Sequence, residues 1–148
     1  MRVKEVDKFV RSQRTFTATG LEYKKTKEAL RDVLLAMSKQ EYNEVTKNLI
    51  LTVLHEGPFG QLMHMEPVRG KYKIMQLTVP KNIPSSVLRY VIAHELGHAI
   101  QGRNWKEDDS NQLEQDADTW AEKWGFPKTK IFTSYAIKHN KLLSYKRH

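Results

Sequence analysis

The clearest order in this chain is the way its apolar positions change period along the sequence, from helical spacing to strand alternation and back. From about Tyr23 to Met37, the residues Leu30, Val33, Leu34 and Met37 recur at three and four, an amphipathic helix whose other face carries Lys24, Lys25, Lys27 and Arg31. Ser38 and Glu41 then form a capping-box pattern, which predicts a short second helix to about Lys47. From Asn48 the preference turns to strand: Leu49 to His55, a turn at Gly57-Pro58-Phe59-Gly60, Gln61 to Met65 and, after Pro67 and Gly70, Tyr72 to Val79. Another strand is expected around Thr15 to Thr19. Val87 to Ile100 is apolar on nearly every face, as a helix at the centre of a core must be, with Pro84, Ser85 and Ser86 at its start and Gln101-Gly102 at its end.

Two more helices follow. The first opens with Ser110 as N-cap, packs through Leu113, Ala117, Trp120 and Trp124, and stops at Gly125 and Pro127. The second runs from Lys130 to Leu143, with Ile131, Tyr135, Ile137 and Leu142 expected to be partly buried. No internal repeat or low-complexity linker interrupts this order. The expectation is an α+β fold in one domain, residues 1–148, in which a small mixed sheet packs on a central helix and further helices lie N- and C-terminal to it.

The central helix contains His94-Glu95-Leu96-Gly97-His98. Helical residues four apart share a face, so His94 and His98 can offer two imidazole nitrogens to one zinc ion, while Glu95 reaches a zinc-bound water. Polar groups inside an apolar helix cost a few kcal/mol each unless paired, and a metal is the simplest partner. The plainer alternative is two hydrogen-bonded core histidines beside an exposed glutamate. Gly97 costs about 1 kcal/mol relative to Ala inside a helix, which points to close approach by another element.

An open zinc site needs three protein ligands. Downstream histidines are limited to His139 and His148, and Glu114 is the better third ligand. It shares a stripe with Asp118, which is placed to accept the distal N–H of a liganding histidine, fixing its tautomer and raising its basicity. Asp116 lies well round the same helix. Taken alone, the segment is equally an ordinary acidic amphipathic helix.

His-Glu-x-x-His followed by Glu-x-x-Ala-Asp resembles the gluzincin branch of the zincin metallopeptidases, over roughly residues 84 to 125. Within it, the short chain and the aromatic-Ala pair after the second element are similar to ImmA/IrrE-type peptidases and to minigluzincins. The resemblance implies a zincin-like fold, zinc as cofactor, His94, His98 and Glu114 as its ligands, Glu95 as general base and acid, and Asp118 as support for a ligand. The chain departs from the ImmA-like pattern at Ala121-Glu122-Lys123-Trp124-Gly125-Phe126-Pro127, where a more aliphatic run ending in Met-Pro is usual. Zincins hold substrate as an extended strand along a sheet edge, and the candidate edge is Gln61 to Met65. Arg103, Tyr135 and His139 are candidate oxyanion donors, but none sits in a diagnostic motif, and His55 and His64 read as sheet residues.

Composition narrows the setting. The absence of cysteine excludes a disulfide framework, a zinc ribbon and thiol chemistry, and a reducing cytoplasm is the expected location. The charged stretch from Met1 to Lys8 lacks the apolar core of a signal peptide, and no apolar run is long enough to span a bilayer, so a soluble monomer without membrane contact is expected. Twenty-five Lys plus Arg stand against 17 Asp plus Glu, net +8, and Pro127 to His148 holds six basic residues and no acidic one. That balance raises nucleic acid as a partner beside a polypeptide substrate, although no helix-turn-helix, zinc-finger or RNA-binding signature accompanies it. The expected function is a zinc-dependent endopeptidase; the alternative is a regulatory or binding protein with a structural or vestigial zinc site.

Overall fold

A computed structural model describes residues 2–12, 21–54, 60–65, 72–101 and 110–146, and gives the backbone course alone for 21–23, 52–54, 60–65, 72, 110 and 141–146. The order is α1 (Arg2–Ser12), α2 (Leu21–Leu35), α3 (Lys39–Thr46), β1 (Leu49–Leu54), β2 (Gly60–Met65), β3 (Tyr72–Thr78), α4 (Ser85–Gln101), α5 (Ser110–Lys123) and α6 (Lys130–Lys146). The class is α+β, as the pattern of periods predicts. The strand expected at Thr15 to Thr19, the residues His55 and Arg103, and most of the Gly-Pro-Phe-Gly turn lie outside the described residues.

Local chemistry explains several element ends. The Ser38 hydroxyl accepts the Glu41 N–H at 3.1 Å and the Glu41 carboxylate accepts the Ser38 N–H at 2.8 Å, so the capping box predicted for α3 is complete. At the end of α5, Gly125 adopts φ +92°, which a residue with a Cβ rarely does. Its N–H donates to the Glu122 carbonyl and the Phe126 N–H to the Ala121 carbonyl, both at 2.9 Å, closing a Schellman motif. The carbonyl of Pro84 accepts the first helical N–H of α4, from Leu88, at 3.1 Å.

The sheet has strand order β1-β3-β2. β1 runs parallel to β3 with Leu49 opposite Lys73, and β2 runs antiparallel with Met65 opposite Tyr72. Alternation places Leu49, Leu51, Lys73, Met75 and Leu77 on one buried face. Lys73 is satisfied there by donating from Nζ to the Glu44 carbonyl at 2.6 Å, a bond from β3 to the end of α3. Burial pushes its ammonium below the ordinary lysine pKa, with the nearby Glu44 acting in the opposite sense.

α4 is the hub: α2, α3, α5, α6, β2 and β3 all pack against it. Val87, Leu88, Tyr90, Val91, Ile92, Ala93, Leu96 and Ala99 are buried around its circumference, which is why its sequence shows no polar face. Leu30, Val33 and Leu34 are buried on the stripe of α2 expected from the sequence, and Met37, two residues past the end of the helix, is buried with them.

Two elements differ from the sequence expectation. The polar amino terminus forms α1, docked through Val6 and Val10 and joined to α2 by Asp7, which accepts from Arg31 Nε at 2.7 Å. In α6 the inward stripe is Phe132, Tyr135 and His139, whereas Ile131 and Ile137 are 57% and 53% exposed. The correction follows from what the helix meets: Phe132 packs edge-on against Tyr90 of α4 at 4.6 Å between ring centroids, and that contact sets the rotation of α6.

Candidate metal centre

The site is built where α5 crosses α4, and Gly97 permits the crossing. A Cβ at Gly97 would lie 3.0 Å from both the Cα and the carbonyl oxygen of Ala117 and 3.2 Å from the Trp120 Cβ. The missing side chain lets the two backbones touch and brings one turn of α5 over the two histidines.

His94, His98 and Glu114 converge there as a group able to hold a metal ion. The two histidine side chains are 13% and 17% exposed, and Glu114 closes the group from outside at 61%. His94 Nε2 lies 2.9 Å from Glu114 Oε2, His98 Nε2 lies 3.1 Å from Oε1, and the two Nε2 atoms are 3.2 Å apart. One carboxylate thus spans both imidazoles.

The opposite ring nitrogens explain this convergence. His94 Nδ1 lies 2.8 Å from Asp118 Oδ1, an acceptor-only partner when ionised, so the proton of a neutral ring belongs on Nδ1. His98 Nδ1 lies 2.8 Å from Gln101 Oε1. The Gln101 amide cannot be reversed at no cost, because its Nε2 donates to the Leu113 carbonyl of α5 at 2.8 Å. This network therefore assigns a proton to each Nδ1 and leaves both Nε2 lone pairs facing each other and a carboxylate. Two imidazole lone pairs and a carboxylate so close repel unless a cation lies among them. A tetrahedral ion with bonds of about 2.0–2.2 Å needs donors about 3.3–3.6 Å apart; the two Nε2 atoms fall just short of this at 3.2 Å, and withdrawal of the exposed Glu114 side chain would lengthen its own two distances.

Asp118 has a second donor. The Tyr90 hydroxyl donates to the same Oδ1 at 2.5 Å, and the Tyr90 ring stands 5.8 Å from that of His94. Burial, followed by the bond to Asp118, pushes the Tyr90 phenol well above its ordinary pKa, so it remains a donor. Glu95, next to His94 on α4, is buried at 6% exposure and is not one of the three converging ligands.

Every residue singled out from the sequence as a ligand or its support falls in this one cluster: His94, His98, Glu114 and Asp118. His139 does not belong to it; it is buried in α6 with its ring stacked on Tyr135 at 6.1 Å. Asp116 accepts from Gln112 Nε2 at 2.8 Å, away from the ligands. Tyr90 and Gln101 were not singled out, yet a signal for them exists: 90, 94, 98 and 101 fall on one helical stripe. No family model matches this chain, and no curated protein or solved structure matches it either.

Proposed function

We propose that this protein is a zinc-dependent endopeptidase of zincin-like fold, acting on polypeptides in a soluble compartment. The observation that carries the reading is the convergence of two imidazole Nε2 atoms and the Glu114 carboxylate, with each Nδ1 engaged behind, on the helix that also holds Glu95. His94, His98 and Glu114 would hold the ion. Bound zinc would supply Lewis-acid polarisation of the scissile carbonyl and a more acidic attacking water.

The chain's own residues supply the rest. Glu95 takes the proton of the attacking water and returns it to the leaving amine, a role suited to a carboxylate fixed on a rigid, buried helix. Asp118 and Gln101 hold the ligand rings in the tautomer that leaves Nε2 free. β2 is an edge strand of the sheet and packs against α4, the helix that carries the histidines, so its outer edge is where an extended substrate would pair.

Two of the basic residues of α2 are engaged internally, Arg31 with Asp7 and Lys25 with the Ile83 carbonyl at 3.2 Å. The deciding experiment is digestion of an unstructured protein and a peptide library by zinc-loaded protein and by its Glu95→Ala variant. Cleavage by the wild type alone, with zinc stoichiometry equal in the two, is expected. Equal cleavage by both, or none by either, would overturn the assignment.

A further inference from the structure

Behind the ligands lies a chain of contacts that the metal-binding reading does not itself require: Phe132 against Tyr90, Tyr90 to Asp118, Asp118 to His94. We propose that Tyr90 is a positioning residue of the metal centre, whose hydroxyl anchors the Asp118 carboxylate so that it can orient the His94 ring, with α6 buttressing the tyrosine through Phe132. The inference rests on the assignment of His94, His98 and Glu114 as a metal site.

The geometry gives Tyr90 this task. Asp118 is on α5 and its side chain is 37% exposed, and the two hydrogen bonds that hold its carboxylate both come from α4, from Tyr90 and His94. Both bonds converge on the same oxygen: the Tyr90 hydroxyl donates to Oδ1 at 2.5 Å and His94 Nδ1 lies 2.8 Å from it. Tyr90 and His94 are one helical turn apart on α4, so the distance between hydroxyl and imidazole is set by a rigid helix. A carboxylate from another helix is thereby pinned between two groups of the same helix. The tyrosine ring is in turn buried and clamped edge-on by Phe132 at 4.6 Å. His98 receives the equivalent service from Gln101, whose amide is fixed by the Leu113 carbonyl. Each imidazole therefore has an acceptor that is itself held, which is the condition for a preformed site.

The test is the dissociation constant for zinc and for cobalt(II), by competition with a chelating dye, in wild type, Tyr90→Phe, Asp118→Ala and the double variant of the full chain. Tyr90→Phe keeps the ring on Phe132 and removes the oxygen alone. It should weaken metal binding about tenfold, within the range usual for loss of a group supporting a ligand. It should also change the cobalt(II) visible absorption, and leave the melting temperature of the metal-free protein close to wild type. In the Asp118→Ala background, Tyr90→Phe should have no further effect on affinity. Unchanged affinity and spectrum in Tyr90→Phe, or a full additional loss in the double variant, would overturn the role of Tyr90 while leaving the metal site intact. Absence of any one-to-one metal binding by the wild type would overturn both.

Discussion

Glu114 is the most solvent-exposed of the three converging side chains, yet it is the one that touches both imidazoles, through Oε2 to His94 and Oε1 to His98. Its replacement by Ala leaves two histidines with no anionic partner for an ion. Metal affinity should then fall by more than the roughly 10–100-fold that follows loss of a supporting hydrogen bond. Titration against a chelating dye checks this, and a retained one-to-one complex of wild-type strength would exclude Glu114 as a ligand. Spacing alone makes His94 and His98 legible, because i and i+4 lie on one face of any helix. Glu114 and Asp118 are legible only as a shared stripe, since their approach to the histidines is a tertiary event. Tyr90 and Gln101 share the histidines' stripe, but a tyrosine or glutamine in an apolar helix is more simply a packing residue until its partner on α5 is known.

Contacts between elements explain why that partner arrives. Gly97→Ala would regain about 1 kcal/mol of helix propensity. It would also set a methyl group 3.0 Å from two backbone atoms of Ala117, which cannot move without shifting α5. Overpacking of this kind costs about 1–3 kcal/mol, so a net loss of stability is expected in urea unfolding, together with weaker metal binding as Glu114 and Asp118 withdraw.

A second bond between elements gives a pH prediction. Glu41 caps α3 and also accepts from Lys123 Nζ at 2.8 Å, tying α3 to the end of α5. Burial alone would raise its carboxyl, but the Lys123 ammonium and the Ser38 donors outweigh it and lower the pKa from 4.5 to about 2. A depressed carboxylate stabilises the fold above its unfolded value and ceases to do so as pH falls toward the folded one. The gap in urea midpoint between wild type and Glu41→Gln should be constant above about pH 5 and should close as pH falls from 4.5 toward 2. The capping box itself was readable because it involves residues three apart, whereas the bond to Lys123 spans 82 positions. For α6, apolar residues occur on several faces, and which of them turns inward is decided by tertiary contacts such as Phe132 on Tyr90.

For the whole molecule, an ion held between α4 and α5 would cross-link the hub helix to the element that carries Glu114. Ligand that binds the folded state alone adds stability by mass action, about 4 kcal/mol at a thousandfold excess over its dissociation constant. Thermal unfolding should therefore shift upward with zinc and return on chelation, and His98→Ala should abolish the shift. Tm values equal with and without zinc in the wild type would speak against a site formed only in the fold. Among the described residues no helix is long and apolar enough to cross a membrane, and the longest apolar element, α4, is instead enclosed by its neighbours.

What the sequence by itself determined is what depends on neighbours a few residues away: the existence and order of α2 through α5, the capping box, the strand segments and the His94-Glu95-x-x-His98 spacing. Helical and strand periodicity, caps and turns are local properties, and an i,i+4 pair has its geometry wherever the helix is placed. The tertiary structure decided which carboxylates meet the histidines, which tautomer each ring holds, how α6 is rotated and that the charged amino terminus docks as α1. Those outcomes depend on how surfaces distant in sequence fit together, and at α4 and α5 the fit turns on the absence of one Cβ at Gly97.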